Sequence, residues 1–145
     1  MDEPDAPPLH LIKLCVGAEN IADLEEWVED CLRRSGEQVH TTRMMPKRRV
    51  EILAGGSLYW VIRGVLSCRQ TILDLRATSD GMGVSYCDIV LEPRVVPVDR
   101  RPRGPFQGWR YLAAKDAPPD LDLKTSAGSD LPIELSSQLR AIGLL

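Results

Sequence analysis

Five of the seven aromatic residues of this 145-residue chain lie in two short segments, and arginine concentrates in the same two. The first runs through Arg43, Met44, Met45, Pro46, Lys47, Arg48 and Arg49, then past Gly55 and Gly56 into Tyr59, Trp60 and Arg63. The second holds Arg100, Arg101 and Arg103, then Phe106, Gln107, Gly108, Trp109, Arg110 and Tyr111. Planar π faces beside guanidinium groups are what a protein needs to stack an unpaired base and hold its phosphate. The same mixture also builds plain scaffold. No catalytic motif accompanies either segment.

In the first segment Pro46 suits the first position of a short helix, with Val50, Leu53 and Ala54 as its apolar side and the glycine pair as its stop. Lys47, Arg48 and Arg49 then fill the first turn. The helix dipole already presents partial positive charge there, and each cation costs roughly a few tenths of a kcal/mol. A phosphate bound at that turn, with Arg43 in support, would relieve the conflict. The alternative is a helix starting near Val50 behind a solvated basic loop. Gly55-Gly56-Ser57 lacks the spacing of a phosphate loop, and helix stop followed by strand start explains both glycines.

Leu58, Trp60 and Ile62 alternate against Tyr59, Val61 and Arg63, which is a strand pattern. One of the two adjacent aromatics therefore belongs to the core. Tryptophan is the better filler, which puts Tyr59 and Arg63 on the open face. In the second segment Gly108 lets a flat group approach the backbone. Gln107 offers an amide to a base edge, and Phe106, Trp109 and Tyr111 offer rings. An edge strand covering the sheet is the bland alternative.

Other reactive types are scattered. Cys15, Cys31, Cys68 and Cys87 form no close pair, and with His10 and His40 they have no metal-ligand spacing. Nothing local activates a thiolate, so buried, reduced, inert cysteine is expected, with no cofactor and no metal. Glu25, Glu26, Glu29 and Asp30 read as the solvated face of a helix.

The net charge of −3 conceals an asymmetry. Residues 41–112 carry twelve Arg and Lys against six Asp and Glu, and the flanks are acidic. A basic middle between acidic ends points to an anionic ligand at one face. The acidic N-terminus is unlike a secretory signal, and no apolar run approaches the roughly 20 residues of a membrane span. A cytoplasmic protein is expected.

The elements that must position these residues follow from periodicity. Residues 1–8 read as a flexible acidic tail, residues 9–115 as a single α+β domain, and residues 116–145 as a loop with a possible C-terminal helix on Ile133, Leu135, Leu139 and Ile142. Residues 9–16 read as a strand. Asn20 caps a helix whose stripe is Ile21, Leu24, Val28, Cys31 and Leu32, with Trp27 packed under it and Ser35-Gly36 as its stop. A short strand is expected over 39–44 and another extended run over 65–75, with a phase slip near Gln70–Leu73 that marks a bulge. A hairpin follows at 79–83, then a strand through Cys87, Ile89 and Leu91. Four prolines between 93 and 105 make that stretch an extended surface connector. The expected fold is a small curved, mainly antiparallel sheet or barrel, with one long N-terminal helix and short additional helices.

The stretches Leu-His-Leu-Ile-Lys-Leu-Cys-Val-Gly, Gly-Gly-Ser-Leu-Tyr-Trp-Val-Ile and Pro-Phe-Gln-Gly-Trp-Arg-Tyr-Leu together resemble a bacterial, mainly alphaproteobacterial, family known only as a domain of unknown function. That resemblance implies no activity. In element order the chain is also similar to the PUA-like superfamily, in the style of its EVE and ASCH branches, although Gly55-Gly56-Ser57 stands where those usually carry Gly-Asp. That likeness implies a small barrel binding RNA or a modified base beside it. The combined expectation is a non-enzymatic nucleic-acid or nucleotide module. Arg43, Lys47, Arg48 and Arg49 would neutralise phosphate; Tyr59, Phe106, Trp109 and Tyr111 would stack a base; Arg63 and Gln107 would read it. The alternatives are an enzyme of nucleotide or RNA metabolism, or an interaction module whose Arg100–Arg103 connector docks an acidic partner.

Overall fold

The computed structural model describes residues 7–121. Of the expected tail only Pro7 and Pro8 fall within that range, and the expected C-terminal helix lies outside the described residues. Strand β1 (His10–Leu14) leads to helix α1 (Ile21–Ser35). The Asn20 side chain accepts from the Asp23 N–H at 2.9 Å, and the left-handed Gly36 donates its N–H to the Leu32 carbonyl at 2.9 Å. Both ends are thus closed by the residues whose types demand it. At 15 residues α1 is of ordinary rather than unusual length. Leu24 and Val28 are its buried contacts. Trp27 is not packed under the stripe. It is 43% exposed, with its ring lying over the backbone of Gly17.

The chain continues through β2 (Gln38–Thr42), α2 (Arg49–Leu53), β3 (Ser57–Ile62), β4 (Val65–Ser79), β5 (Ser85–Leu91), β6 (Val96–Pro102) and β7 (Trp109–Leu112). A 3-10 turn, Ala114–Asp116, follows. The sheet order is β2-β5-β4-β3-β1-β7, with β6 paired to β4 off that path. Among the described residues only β1 and β3 run parallel. No pairing joins β2 to β7 among the described residues, so the sheet is open and not a closed barrel.

Two local features set its shape. Arg63 and Gly64, at φ +51° and +79°, form the two-residue turn between β3 and β4, a type I′ geometry that suits the strand twist. β4 then runs 15 residues, pairing first with β3 and β6 and later with β5. Its register with β5 shifts between Ile72 and Asp74, which leaves Leu73 exposed and accounts for the phase slip in the sequence. The stretch expected as a connector is in fact β6. Its prolines are tolerated because, among the described residues, β6 is flanked on its outer side by an isolated bridge alone, Val98 to Asp120, and so behaves as an edge.

Alternation along β3 feeds two apolar clusters, one on each face of the sheet. Leu58, Trp60 and Ile62 pack beneath α1 and α2 with Leu11, Leu24, Val28 and Ile52. Tyr59 and Val61 pack on the other face with Ile12, Leu66, Val98 and Leu112. Every residue of β3 is therefore buried, and a reading with one packed face captured half of the core. Gly56 is where α2, β1 and β3 meet. A Cβ there would lie 2.2 Å from the Leu9 carbonyl oxygen and 2.6 Å from that of Ile52, so only glycine fits.

Candidate functional site

The basic helix start is not an open anion site. α2 begins at Arg49, with Arg48 as its cap residue, and is five residues long. The backbone N–H groups of Lys47 and Arg48, the donors a phosphate would use, both point to the Tyr111 hydroxyl oxygen, at 3.0 and 3.3 Å. Arg48 forks onto Glu51 at 2.8 and 2.6 Å, which holds the Glu51 carboxyl below its ordinary range. Arg49 reaches Asp74 at 3.1 Å and the Leu75 carbonyl at 3.1 Å. Carboxylates and a phenol within the chain thus already relieve the charge conflict. Of the expected basic set, Arg43 lies over the Tyr86 ring at 5.6 Å, and exposed Lys47 has no ion pair among the described residues.

The aromatic partners in this contact come from β7. Alternation sends Trp109 and Tyr111 to the same face as Leu11 of β1. Trp109 packs on the first cluster and donates its indole N–H to the Met44 carbonyl at 2.8 Å. The Trp109 and Tyr111 rings meet edge to face at 4.9 Å, and the Arg48 guanidinium lies 5.7 Å from the Tyr111 centroid. The two arginine–aromatic segments do come together, as a latch fastening β7 to residues 44–48. Its polar atoms are spent internally.

Tyr59 is not on an open face. It is 4% exposed, with its ring against His10 at 5.0 Å, because the second cluster covers the face it occupies. Arg63 is not beside it but in the β3–β4 turn, paired with Glu19 at 2.5 Å.

A different grouping lies at that turn. The Arg103 N–H donates to the Gly64 carbonyl at 2.9 Å, which brings the end of β6 alongside. The Arg103 and Arg110 guanidiniums both lie against the Phe106 ring, at 5.1 and 5.6 Å from its centroid. Arg100, Arg103 and Arg110 are exposed, and none pairs with a carboxylate among the described residues. Gln107 is exposed in the turn ahead of Gly108. Beside them a recess of about 350 Å³ is walled by Leu14, Cys15 and Val61, with Arg63, Arg103 and Pro105 along it. Burial pushes the Cys15 thiol up to about 11, so this wall carries a neutral thiol at physiological pH.

A second recess, of about 330 Å³, was not legible in the sequence. His10, Ser57, Tyr59, Arg69 and Asp120 line it. Tyr59 and Arg69 are direct cross-strand partners in β3 and β4. Arg69 forks onto Asp120 at 2.7 and 2.7 Å and donates a third hydrogen bond to Ser57 Oγ at 2.9 Å. His10 Nδ1 accepts from the Ser57 backbone N–H at 3.0 Å, which leaves the proton of the neutral ring on Nε2. Burial first, then Arg69, lowers the His10 pKa and keeps the ring neutral. Ser57 Oγ and His10 are engaged separately, so no Ser–His nucleophile pair is assembled. The one available signal was Arg69-Gln70 interrupting an apolar run in β4.

Gln70 belongs to a buried network on the opposite face. It accepts the Trp60 indole N–H at 3.0 Å and donates to Gln38 at 2.5 Å and to the Glu92 carbonyl at 3.0 Å. His40 meets the Trp60 ring edge-on at 5.2 Å, and its buried Nε2 has no partner among the described residues. Burial, aided by Lys13, pushes its pKa down to about 4. All four cysteines are free, and burial raises Cys68 to about 12 and Cys87 to about 11. Among the described residues no cluster of His, Cys, Asp or Glu could hold a metal ion, and no helix is long and apolar enough to cross a membrane.

The family model described as "Protein of unknown function (DUF1489)" matches residues 11–145, nearly the whole chain. The chain belongs to the DUF1489 family. No curated protein and no solved structure matches it.

Proposed function

We propose that this protein is a non-enzymatic nucleic-acid or nucleotide binding module, for RNA or a modified base, working from its arginine-rich end. In this reading the open sheet is a variant of the PUA-like arrangement, and the protein acts in the bacterial cytoplasm. The observation that carries the reading is that Arg103 and Arg110 both lie over the Phe106 ring, with neither guanidinium engaged by a carboxylate among the described residues. Arg100, Arg103 and Arg110 neutralise phosphate. Phe106 and the guanidinium planes stack a base, and Gln107 reads its edge. The apolar-walled recess beside Arg63 and Arg103 gives the ligand a concave, partly desolvated seat. Arg43 and Lys47 add positive potential without direct contact.

The test is a titration of single-stranded RNA by anisotropy across a salt series. Each phosphate contact contributes about 0.7 to the slope of log K against log salt, so Arg103→Gln with Arg110→Gln should flatten it by about 1.4. Phe106→Ala should cost about 1–3 kcal/mol of binding and leave the slope intact. Absence of salt-dependent binding to RNA, DNA or nucleotide at low ionic strength overturns the reading. Turnover in a nucleotide panel would replace it with an enzyme, and capture of an acidic peptide in place of RNA with an interaction module.

A further inference from the structure

The second recess gathers hydrogen-bond donors around a single carboxylate. Three of its polar side chains, Ser57, Tyr59 and Arg69, come from the adjacent strands β3 and β4, and His10 from the next strand, β1. The carboxylate among them, Asp120, accepts from Arg69 and arrives from outside the strands. It sits after the 3-10 turn, on a segment held by Asp99 N–H to the Pro119 carbonyl at 2.9 Å and Leu121 N–H to the Pro97 carbonyl at 3.0 Å. The fork of Arg69 onto Asp120 is the bidentate geometry with which a guanidinium recognises a planar carboxylate.

Donors remain beyond those that Asp120 satisfies. A guanidinium has five N–H groups, and Asp120 and Ser57 take three from Arg69. The Tyr59 hydroxyl makes no hydrogen bond among the described residues, although the residue is buried and lines the recess. The space beside them, about 330 Å³, is at the lower end of the range that holds small molecules. Ala114, Ala117, Pro118 and Pro119 give it short, unreactive walls. A pin whose only task was to fix the 117–121 segment to the sheet would need neither the open volume nor the spare donors.

We propose that this recess is a receptor for a small carboxylate-bearing molecule, with Asp120 holding the Arg69 fork in the resting state and giving way to the ligand's carboxylate. Asp120 is well suited to yield. Its side chain is 46% exposed, whereas that of Arg69 is 21% exposed, so on release the carboxylate can turn into water while the guanidinium stays in place. The site is independent of the arginine-rich end and involves none of the residues assigned there.

Thermal unfolding of the full chain with sodium acetate, against sodium chloride at equal ionic strength, tests the proposal. Asp120→Ala should melt below wild type, and acetate should raise its Tm saturably by roughly 4–8 °C where chloride does not. Wild type should show the same saturable rise at higher acetate, because the ligand must displace Asp120. Arg69→Gln should show only the small linear response expected of a weakly excluded salt. If Asp120→Ala does not fold, Asp120→Asn carries the same titration. An equal response to acetate and chloride overturns the proposal. So does a saturable response confined to the Asp120 variants, which would make Asp120 a permanent partner of Arg69.

Discussion

The latch and the arginine-rich end are built from the same residue types, and the structure uses them in opposite ways. In the latch, Tyr111 and Trp109 spend their polar atoms on the backbone of residues 44–48, and Arg48 and Arg49 are matched by Glu51 and Asp74. At the other end Arg103 and Arg110 share Phe106 and have no carboxylate partner among the described residues. Composition cannot tell the two apart. What separates scaffold from available surface is whether donors and charges are already satisfied, because a ligand gains little from groups it must first free.

The contrast makes distinct demands on mutants. Trp109→Ala should have the largest effect on stability, about 3 kcal/mol in urea unfolding, since it removes a partly buried ring and its hydrogen bond to the Met44 carbonyl. The salt slope of RNA binding should not move. A lost slope with intact stability would reverse the roles assigned to the two regions.

The first cluster, on which Trp109 packs, should also carry a pH dependence that the arginine-rich end lacks. The folded pKa of His40, about 4, lies below its ordinary 6.5, so the unfolded chain binds the extra proton between those values. Stability from His40 is therefore complete above pH 6.5 and falls as pH drops towards 4, by up to about 2 kcal/mol at pH 5. His10, also lowered, adds in the same direction. His40→Phe should flatten the profile in equilibrium melts from pH 7 to 5 and cost little at pH 7, because it also removes a buried nitrogen that has no partner among the described residues. A profile unchanged by the substitution would show that His40 protonates without penalty.

Tyr111→Phe isolates the hydroxyl. It should cost about 1–2 kcal/mol, for two backbone donors left to solvent at the base of the latch, and amide exchange at Lys47 and Arg48 should accelerate. Arg103→Gln with Arg110→Gln should change stability least, within about 0.5 kcal/mol, as expected for exposed charges over one ring. A loss larger than that of Tyr111→Phe would make the arginine-rich end scaffold as well.

Much of the local structure was written in the residues nearest to it. Asn20 and Gly36 bracket α1, Gly64 sits in the turn it permits, and the phase slip near Leu73 is a register shift. β6 forms where the prolines predict a connector because proline weakens a strand only where its N–H is needed, and edge position is not a local property. Tyr59 is buried where alternation predicts an open face, because alternation reveals that a strand has two faces, not that both are covered.

By itself the sequence determined the α+β class, most element positions, the cap and turn residues, and the charge carried by the middle of the chain. These depend on neighbours within a few positions, where propensity, capping and periodicity act. The tertiary structure alone decided which charges are spent. Tyr111 meets Lys47 across 64 residues, Arg69 meets Asp120 across 51, and His10 meets Ser57 across 47. Nothing local encodes such pairings. They arise when the parallel contact of β1 with β3 and the return of residues 117–121 along β6 bring distant donors to one acceptor, and the hydrogen bonds then formed decide which surface remains for a ligand.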